Sequence, residues 1–501
     1  MHFTEDMFEQ AVIELFENMG YTHIYAPDME RDYSSPLLDS VLMDSLVKLN
    51  KGLPLDAITE AINKLRNFDT GSLLQKNMQF VDYLQNGIQV RYFVKGEERT
   101  SIVYLIDYKT VSNNSFHVVN QFTYIENGNN RRPDIILFIN GLPLVLMELK
   151  SPSKDEVNAE NAFNQIRNYM QDIPSIFNYN AICVISDLTT NKAGTITSGL
   201  DRFMEWKTKD GSYENNQFAQ FDTFFEGIFQ KERFLDILKN FILFSNEGTK
   251  KIKILAGYHQ YFAVRKAVER TKLAVNGDGK IGVFWHTQGS GKSYSMLFLA
   301  QKIRRKFVGS PTIVVLTDRE ELNKQISDTF ENCGVLGKVK VREFIAKSGE
   351  DLINKLKGNP SFIFSLIQKF NRPDVEPIYP DHDIVVISDE AHRTQNGIFA
   401  ENLIHLLPTA NRIGFTGTPL LSNDNITART FGGYVSIYDF KRAVEDKATV
   451  PLYYENRGER LQDLQNPEIN EEIATALEQA GDMDASQLAK LEREFAKEVH
   501  L

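Results

Sequence analysis

The sequence predicts an α/β protein that contains two separate sheets. From residue 255 to 440, continuous apolar strand-like runs alternate with helical patterns, which indicates a parallel sheet covered on both faces. From residue 101 to 150, short β-rich runs follow one another, and the last two flank Asn140-Gly141, a dipeptide that favours a hairpin turn. A chain of 501 residues is also too long for one ordinary core, so we expect two or three domains.

We divide the chain into four segments. Residues 1–190 are predicted to form a first α/β domain, because strand and helix patterns are mixed there. Residues 191–254 are predicted to form a bridge, and residues 255–455 a second α/β domain built on the parallel sheet. Residues 456–501 are predicted to form an acidic helical tail without strands.

The first segment is predicted to open with an amphipathic helix and to continue with strands. Apolar residues recur at helical spacing over residues 7–20, and Gly20 ends the pattern. The strand-like runs that follow lie at residues 101–108, 116–126, 133–139 and 142–150. A polar helix over about residues 156–171 and an apolar strand at 181–187 complete this domain.

The bridge is predicted to begin irregularly, and the second domain to be strand-rich. Residues 189–216 are rich in Gly, Ser, Thr and Asn, which is typical of irregular structure. A helical pattern resumes over residues 224–244. The apolar strands of the second domain are predicted at residues 281–286, 311–318, 361–367, 383–390 and 412–417.

Composition and charge describe an ordinary folded protein. Apolar residues make up 42% of the chain, charged residues 25%, and mean hydropathy is -0.32, which argues against disorder. The net charge of -11 argues against a protein that coats nucleic acid by overall positive charge. Contacts with nucleic acid would then be local, and short basic clusters at residues 131–132, 250–253 and 304–306 could supply them, unless they are plain solvated faces.

The sequence predicts a cytoplasmic protein. Cys183 and Cys333 lie far apart, so we expect neither a disulfide framework nor a cysteine zinc site. The first residues show no basic region followed by an apolar run, and no stretch approaches the roughly 18 apolar residues of a membrane span. We therefore expect no association with a membrane.

A phosphate-binding loop is indicated by HTQGSGKS at residues 286–293, between a predicted strand and a helical pattern. Lys292 can reach the β and γ oxygens of a nucleotide, and Ser293 can ligate magnesium. The general pattern has Gly six positions before the lysine, where this chain has His286. The residues that we expect to bind the nucleotide are Thr287, Gln288, Gly289, Ser290, Gly291, Lys292 and Ser293.

Asp389 and Glu390 supply the second half of the predicted nucleotide site. They end an apolar strand in ISDEAHR, about a hundred residues after the loop. Asp389 can hold magnesium through water, and Glu390 can polarise the attacking water. Ordinary strand-end carboxylates are the alternative interpretation, but both halves lie in the strand contexts that the chemistry needs. The sequence therefore predicts ATP and Mg²⁺ as cofactors.

DEAH followed by GFTGTP at residues 414–419 resembles the superfamily 2 helicase and translocase core. The resemblance implies that Thr416 and Thr418 link hydrolysis to movement on nucleic acid. It also implies that Gln260 reads adenine, although a plain helix residue is the alternative at that position. The loops TDREELNKQ and SLIQKF resemble those that follow a DNA backbone.

Asp134, Glu148 and Lys150 belong to the two strands of the predicted hairpin. Glu148 and Lys150 are two residues apart and so share a face, and the hairpin brings Asp134 across from them. Two carboxylates that share a hard cation, with a lysine beside them, suit activation of water for attack on a phosphodiester. PD at 133–134 and ELK at 148–150 resemble the PD-(D/E)xK nuclease signature; a structural salt bridge is the alternative.

Further residues resemble the RecB-like branch of these nucleases. Gln165 and Tyr169 are four apart on a predicted helix, so they share a face and resemble the QxxxY element. That branch often adds an acidic residue from an upstream helix. Glu9 or Glu5 could provide it, and a solvent-exposed glutamate without a role is the alternative for either.

A RecB-like nuclease followed by a superfamily 2 motor resembles the R subunit of type I restriction enzymes, from residue 1 to about 460. The runs that carry the resemblance are VVNQFTYIENGNNRRPDIILFINGLPLVLMELK, AGYHQYFAV and FWHTQGSGKS. It implies a restriction-endonuclease fold in the first domain and a RecA-like fold in the second. It also implies a subunit that joins methylation (M) and specificity (S) subunits, translocates double-stranded DNA with ATP, and cuts it with Mg²⁺ far from the recognition sequence.

One departure concerns the length of the chain. A motor of this class needs a second RecA-like domain, whose arginines complete the ATP site, and we find no strand–helix repeat after Val450. We therefore expect a fragment that lacks this domain, binds ATP weakly and hydrolyses it poorly.

Two other interpretations stay open. In the first, the chain is a motor without nuclease activity, and the Asp134 hairpin is purely structural. In the second, it is a non-catalytic module that docks onto partner subunits or DNA. Loss of DNA cleavage on replacing Asp134 or Lys150 would exclude the first, and binding of ATP with magnesium-dependent nicking would exclude the second.

Overall fold

The computed structural model describes residues 4–150, 159–212, 220–248, 250–390, 398–418 and 429–450. The described residues up to Thr449 form one compact unit. The tail predicted for residues 456–501 lies outside the described residues, so it stays a prediction.

The N-terminal part is built around a mixed sheet. Its elements are α1 (Glu5–Asn18), β1 (Thr22–Tyr25), α2 (Asp39–Leu49), α3 (Leu55–Arg66), α4 (Leu73–Asn86), β2 (Ile88–Val94), β3 (Glu97–Val103), β4 (Phe116–Asn120), β5 (Tyr124–Glu126), β6 (Asn129–Arg131), β7 (Ile135–Ile139), β8 (Leu142–Leu149), α5 (Ala159–Asp172), β9 (Ile182–Ser186) and β10 (Asn191–Gly194). Six strands form the sheet, in the order β1-β4-β7-β8-β9-β10. Strands β7, β8 and β9 are buried throughout, because α1 packs on one face of the sheet and α5 on the other.

The hairpin predicted at Asn140-Gly141 is confirmed. Strands β7 and β8 pair antiparallel, and Asn140 and Gly141 both have positive φ, 52° and 81°. Such backbone angles are those of a two-residue turn that matches strand twist. A Cβ at Gly141 would lie 2.7 Å from the Leu38 carbonyl oxygen and 2.7 Å from the Leu42 amide nitrogen, so glycine is required.

Three strand predictions in this part need correction. The run at 101–108 is a strand only to Val103, and it pairs with β2 in a separate two-stranded sheet. The run at 116–126 is two strands, because the backbone breaks at Gln121, whose φ is 55°. The segment 189–216 was predicted to be irregular, but β10 lies within it. This last strand of the sheet pairs with β9 and, at Ala193, forms one further bridge to Met204.

The C-terminal part is built around a parallel sheet. Its elements are α6 (Phe221–Phe229), α7 (Lys231–Asn240), β11 (Ile242–Glu247), β12 (Lys250–Leu255), α8 (Tyr258–Val275), β13 (Lys280–His286), α9 (Lys292–Lys306), β14 (Thr312–Thr317), α10 (Glu320–Asn332), α11 (Gly349–Lys357), β15 (Phe362–Leu366), β16 (Ile384–Ser388), α12 (Ile398–Leu406), β17 (Asn411–Thr416), β18 (Tyr434–Tyr438) and α13 (Phe440–Glu445). Six strands pair in parallel, in the order β15-β14-β16-β17-β13-β18. The predicted α/β class with a parallel second sheet is confirmed.

The bridge packs both parts of the chain into a shared core. Phe16 of α1 contacts Phe225 of α6, with ring centroids 5.9 Å apart, and Phe241 contacts Phe298 of α9 at 5.4 Å. The helical pattern predicted over 224–244 ends at Asn240, because Ile242 begins a strand that pairs with Leu255. The described part of the chain contains no helix whose length and hydropathy would suit a membrane span.

Candidate functional site

Asp134, Glu148 and Lys150 meet at the open end of the β7–β8 hairpin. The antiparallel register sets Asp134, one residue before β7, opposite Glu148 in β8. The Leu149 amide donates to Asp134 Oδ2 at 2.8 Å, and Lys150 Nζ donates to Glu148 Oε1 at 2.6 Å. The side chains of Glu148 and Lys150 are only 3% and 16% exposed. The sequence-based expectation that these three residues lie together is therefore confirmed.

Helix α5 adds Gln165 and Tyr169 to this cluster. The helix packs against β8 and β9, and Tyr169 is buried. The Tyr169 side chain hydrogen-bonds to both Glu148 and Gln165. The two residues therefore share a face of α5, as their four-residue spacing predicted, and Tyr169 contacts the Glu148 carboxylate.

Burial makes the two carboxyl groups resist ionisation. Burial, and then the charge of Glu148, raises the pKa of Asp134 well above its ordinary value. Burial raises the pKa of Glu148 to about 7, although Lys150 opposes the rise. Two adjacent buried carboxylates cannot both be charged without a compensating cation. Lys150 supplies one such charge, with its Nζ 2.6 Å from Glu148 Oε1, and a bound divalent cation would favour ionisation of both carboxyl groups.

The two upstream glutamates, Glu5 and Glu9, have different surroundings in the structure. Glu9 accepts hydrogen bonds from Asn120 Nδ2 at 2.7 Å and Gln121 Nε2 at 2.6 Å, so it holds the end of β4. The charge of Glu5 instead acts on the pKa of Asp134, Glu148 and Lys150. Glu5 is the better candidate for the added acidic residue, and the role predicted for Glu9 stays a prediction.

The donor set of this cluster fits a hard cation. Glu148 Oε2 is buried and has no hydrogen-bond partner among the described residues. Within that part of the chain, no three His, Cys, Asp or Glu side chains are arranged to hold a metal ion. Mg²⁺ commonly binds one or two carboxylates and completes its shell with water and substrate phosphate. Asp134 and Glu148 are therefore sufficient protein ligands for that ion.

A second candidate site lies between β13 and α9. Gly289 and Gly291 adopt left-handed backbone angles, with φ of 85° and 79°, and Gly291 immediately precedes α9. Backbone N–H groups at such a helix start favour phosphate. The Ser290 hydroxyl donates to the Thr287 carbonyl at 2.6 Å, which holds the loop closed on itself. Ser293 lies in the first turn of α9, and Gln288 is exposed.

The end of β16 brings two carboxylates towards Lys292. Burial lowers the pKa of Lys292, and the charges of Glu390 and Asp389 oppose that shift. Burial, and then the charge of Glu390, raises the pKa of Asp389 to about 6. Asp389 Oδ1 is buried without a hydrogen-bond partner among the described residues, which suits a bound cation. Glu390 has a φ of 48°, a strained backbone of the kind found at functional sites.

The loop after β17 also reaches the phosphate-binding loop. The Thr418 amide donates to the Thr416 hydroxyl oxygen at 3.2 Å. Between them, a Cβ at Gly417 would lie 3.3 Å from Lys292 Nζ. Because the carboxyl ends of parallel strands meet at one edge, the loops after β13, β16 and β17 lie together.

Gln260 lies beside the phosphate-binding loop rather than in an open pocket. Its Nε2 donates to the Gly291 carbonyl at 3.0 Å, and its Oε1 accepts from the Gly257 amide at 3.0 Å. The residue is 7% exposed. Its side chain therefore braces the loop, and recognition of adenine by Gln260 stays a prediction.

Two buried histidines support the same loop, and the sequence analysis missed one of them. His286 occupies the position of the expected glycine, and its Nε2 lies 2.9 Å from the Ser436 hydroxyl. His259 Nε2 lies 3.2 Å from the Ser290 carbonyl oxygen, and its ring stacks on Tyr438 at 4.1 Å. Burial lowers the pKa of His259 to about 4, so that ring is neutral at pH 7. In the sequence, the only sign of this support was that His286 replaces the glycine expected at that position.

Two family models match the chain. Residues 2–202 match the model described as type I restriction enzyme R protein N terminus. Residues 259–486 match the model described as SWI2/SNF2 ATPase. The two matches cover the two sheets and their candidate sites.

Curated relatives match nearly the whole chain. The type I restriction enzyme HindI endonuclease subunit of Haemophilus influenzae is 37% identical over 95% of this chain and 48% of its own length. The putative type I restriction enzyme MjaIXP endonuclease subunit of Methanocaldococcus jannaschii is 34% identical over 93% of this chain and 48% of its own length. The chain therefore spans about half the length of these relatives.

One solved structure is a fragment of a putative HsdR subunit of a type I restriction enzyme from Vibrio vulnificus. It covers 66% of this chain and 56% of that one at 17% identity, with a TM-score of 0.28. We rest no inference on this likeness.

Proposed function

Because the chain belongs to the family of type I restriction enzyme R proteins, we propose that it carries a magnesium-dependent DNA nuclease centre and an ATP-driven DNA motor. The observation that carries the nuclease half is the buried cluster of Asp134, Glu148, Lys150 and Tyr169. The activity is cleavage of double-stranded DNA away from the recognition sequence, coupled to translocation.

In the nuclease centre, each residue has a chemical task. Asp134 and Glu148 would hold Mg²⁺, which when bound lowers the pKa of a coordinated water and neutralises phosphate charge. Although burial opposes it, Glu148 raises the pKa of Lys150, so this lysine stays cationic and can stabilise charge on the attacked phosphate. Tyr169 orients Glu148, and Gln165 orients Tyr169.

In the motor, the loop before α9 would bind the phosphates of ATP. Lys292 would contact the phosphate oxygens, and Ser293 with Asp389 would hold Mg²⁺. Glu390 would orient the attacking water, and Thr416 and Thr418 would link the state of the nucleotide to the loops that we expect to contact DNA. The unpartnered Asp389 Oδ1 supports this assignment.

We also propose the domain division and partners that the family membership suggests. Residues 1–190 would be the nuclease domain, residues 191–254 the bridge, and residues 255–455 the RecA-like motor domain. Specificity and methylation subunits would select the DNA and dock this subunit. The names of the relatives support this proposal, because each denotes the endonuclease subunit of a type I restriction enzyme.

Nicking of supercoiled plasmid DNA by the full chain tests the nuclease half. We expect Mg²⁺-dependent nicking that falls at least about a hundredfold in Asp134→Ala and Lys150→Ala, since both lose transition-state or metal contacts. Arg66→Ala is the matched control: it removes a surface cation of the N-terminal part, paired with Asp39 at 2.8 Å, and should keep activity. Equal nicking by all four proteins would show that the hairpin is structural and leave only the motor.

A further inference from the structure

A cavity of about 380 Å³ opens between the N-terminal part of the chain and helices α7, α8 and α9. Seven lysine or arginine side chains line it, against three carboxylates, although the chain as a whole has a net charge of -11. The cavity adjoins the C-terminal end of α9, roughly 21 Å along the helix from the phosphate-binding loop. It is therefore separate from both sites described above.

Two of the three carboxylates form ion pairs with lysines of the lining. Asp236 pairs with Lys302 and also accepts from Asn240 Nδ2 at 2.8 Å. Glu269 pairs with Lys306 at 3.3 Å. These contacts balance the charges of Lys302 and Lys306, and the third carboxylate, Glu232, accepts a hydrogen bond from the neutral Gln230 side chain.

The remaining five cations of the lining lie outside these ion pairs. Arg233, Lys239 and Arg305 donate to backbone carbonyl oxygens. Lys109 and Arg265 lie exposed at the rim, and across the described stretches none of these five side chains forms an ion pair within 4.0 Å. A group of unbalanced cations around a concave surface is the usual basis of anion recognition.

Burial disfavours the charged form of one of these cations. Together with the charge of Arg305, it lowers the pKa of Lys239 to about 8. A bound anion would favour the ammonium form of Lys239, because an opposite charge nearby stabilises it.

We propose that this cavity binds phosphate groups. Guanidinium forks at Arg265 and Arg305 suit paired phosphate oxygens, and Lys109 and Lys239 add point charges. The volume accommodates several linked phosphates rather than a single small ion. The phosphates come either from a nucleic-acid backbone that passes between the two parts of the chain or from a free oligophosphate. The site depends on neither the nuclease nor the ATPase assignment.

Titration with inorganic pyrophosphate by calorimetry tests the site directly. The full chain would carry Lys292→Ala, so that the phosphate-binding loop contributes little. Arg265→Glu should weaken pyrophosphate binding about tenfold or more, since a charge-assisted contact becomes repulsive. Lys266→Glu is the matched control, because Lys266 is the next exposed position on α8 but does not line the cavity. Lys109→Glu repeats the test from a different element, so a local defect in α8 cannot account for the result.

A second arm uses a short DNA duplex over a range of salt concentrations. If the phosphates belong to a backbone, Arg265→Glu lowers the salt dependence of binding by about one counterion, whereas Lys266→Glu does not. Weaker pyrophosphate binding with unchanged DNA binding identifies a free oligophosphate instead. Equal affinities of Arg265→Glu, Lys109→Glu and Lys266→Glu for both probes would overturn the proposal.

Discussion

The two buried carboxyl groups of the proposed nuclease centre destabilise the folded protein. Asp134 and Glu148 are buried next to each other, and the pKa of each is raised mainly by that burial. A carboxyl group whose pKa is raised in the folded state disfavours folding once the pH exceeds its unfolded pKa, near 4, because the fold then has to bury a charge. Such costly burial is typical of functional sites, which is the role that we propose for these residues.

Asp134→Asn should therefore stabilise the metal-free protein at pH 8. The asparagine keeps an oxygen that can accept from the Leu149 amide, and it removes the buried charge. We expect a gain of about 1–2 kcal/mol at pH 8 that shrinks towards zero as the pH falls to 4, measured by thermal unfolding in EDTA.

Asp172→Asn is the control for this stabilisation. Asp172 lies at the surface and pairs with Arg131, so its replacement should not raise stability. A lower melting temperature for Asp134→Asn than for the parent at pH 8 would show that the Asp134 carboxylate is compensated in the fold.

Residue identities in the two sites were largely predictable, whereas their finer contacts were not. Spacing put Glu148 with Lys150 and Gln165 with Tyr169, because strand and helix periodicities fix which side chains share a face; the resemblance to RecB-like nucleases linked the two pairs. The choice between Glu5 and Glu9 depended on how α1 approaches the sheet, which no local pattern encodes. The support of the phosphate-binding loop by His259 depended on a contact across 31 residues.

At the scale of elements, the β7–β8 hairpin positions the nuclease residues. Its two-residue turn fixes the register, and a slip by one residue would turn Glu148 to the opposite face of the sheet. Strong turn and strand patterns made this hairpin predictable. Strands β2 and β10 were missed, because a polar edge strand and an isolated hairpin lack the apolar runs that mark a buried strand.

Gly141→Ala should destabilise the protein by more than the cost of placing an alanine at a positive φ. An added methyl group would collide with backbone atoms of Leu38 and Leu42, so we expect a loss of roughly 3 kcal/mol in denaturant unfolding. Gly96→Ala is the matched control: its φ is 84°, but no atom lies within 4 Å of the new Cβ, so the loss should be about 1 kcal/mol. Equal losses in the two variants would argue against the close approach at Gly141.

At the scale of the whole molecule, the two sheets share one hydrophobic core. That core runs from α1 through α6 and α7 to α8 and α9, so the bridge joins the N-terminal and C-terminal parts of the chain rather than spacing them apart. Sequence patterns identified both sheets but not their shared core. Contacts between helices that lie far apart in the sequence produce no periodic pattern. We therefore expect a destabilising substitution in either part of the chain to lower the stability of both parts.

Phe298→Ala tests this continuity from the motor side. Phe298 is fully buried and contacts Phe241, so its truncation should cost roughly 3–5 kcal/mol. We expect one unfolding transition, shifted to lower temperature, when followed by calorimetry and by limited proteolysis of residues 1–190. Phe93→Ala, at an exposed position on β2, should leave the transition unchanged. Two separate transitions, with only one of them shifted, would show that the halves fold independently.

Anomalous scattering from crystals soaked in Mn²⁺ would show whether Asp134 and Glu148 form the metal centre that we propose. We expect an ion between the two carboxylates that disappears in Asp134→Ala. Soaked crystals with Mn²⁺ bound beside Asp389 and Ser293 but none at Asp134 and Glu148 would contradict it.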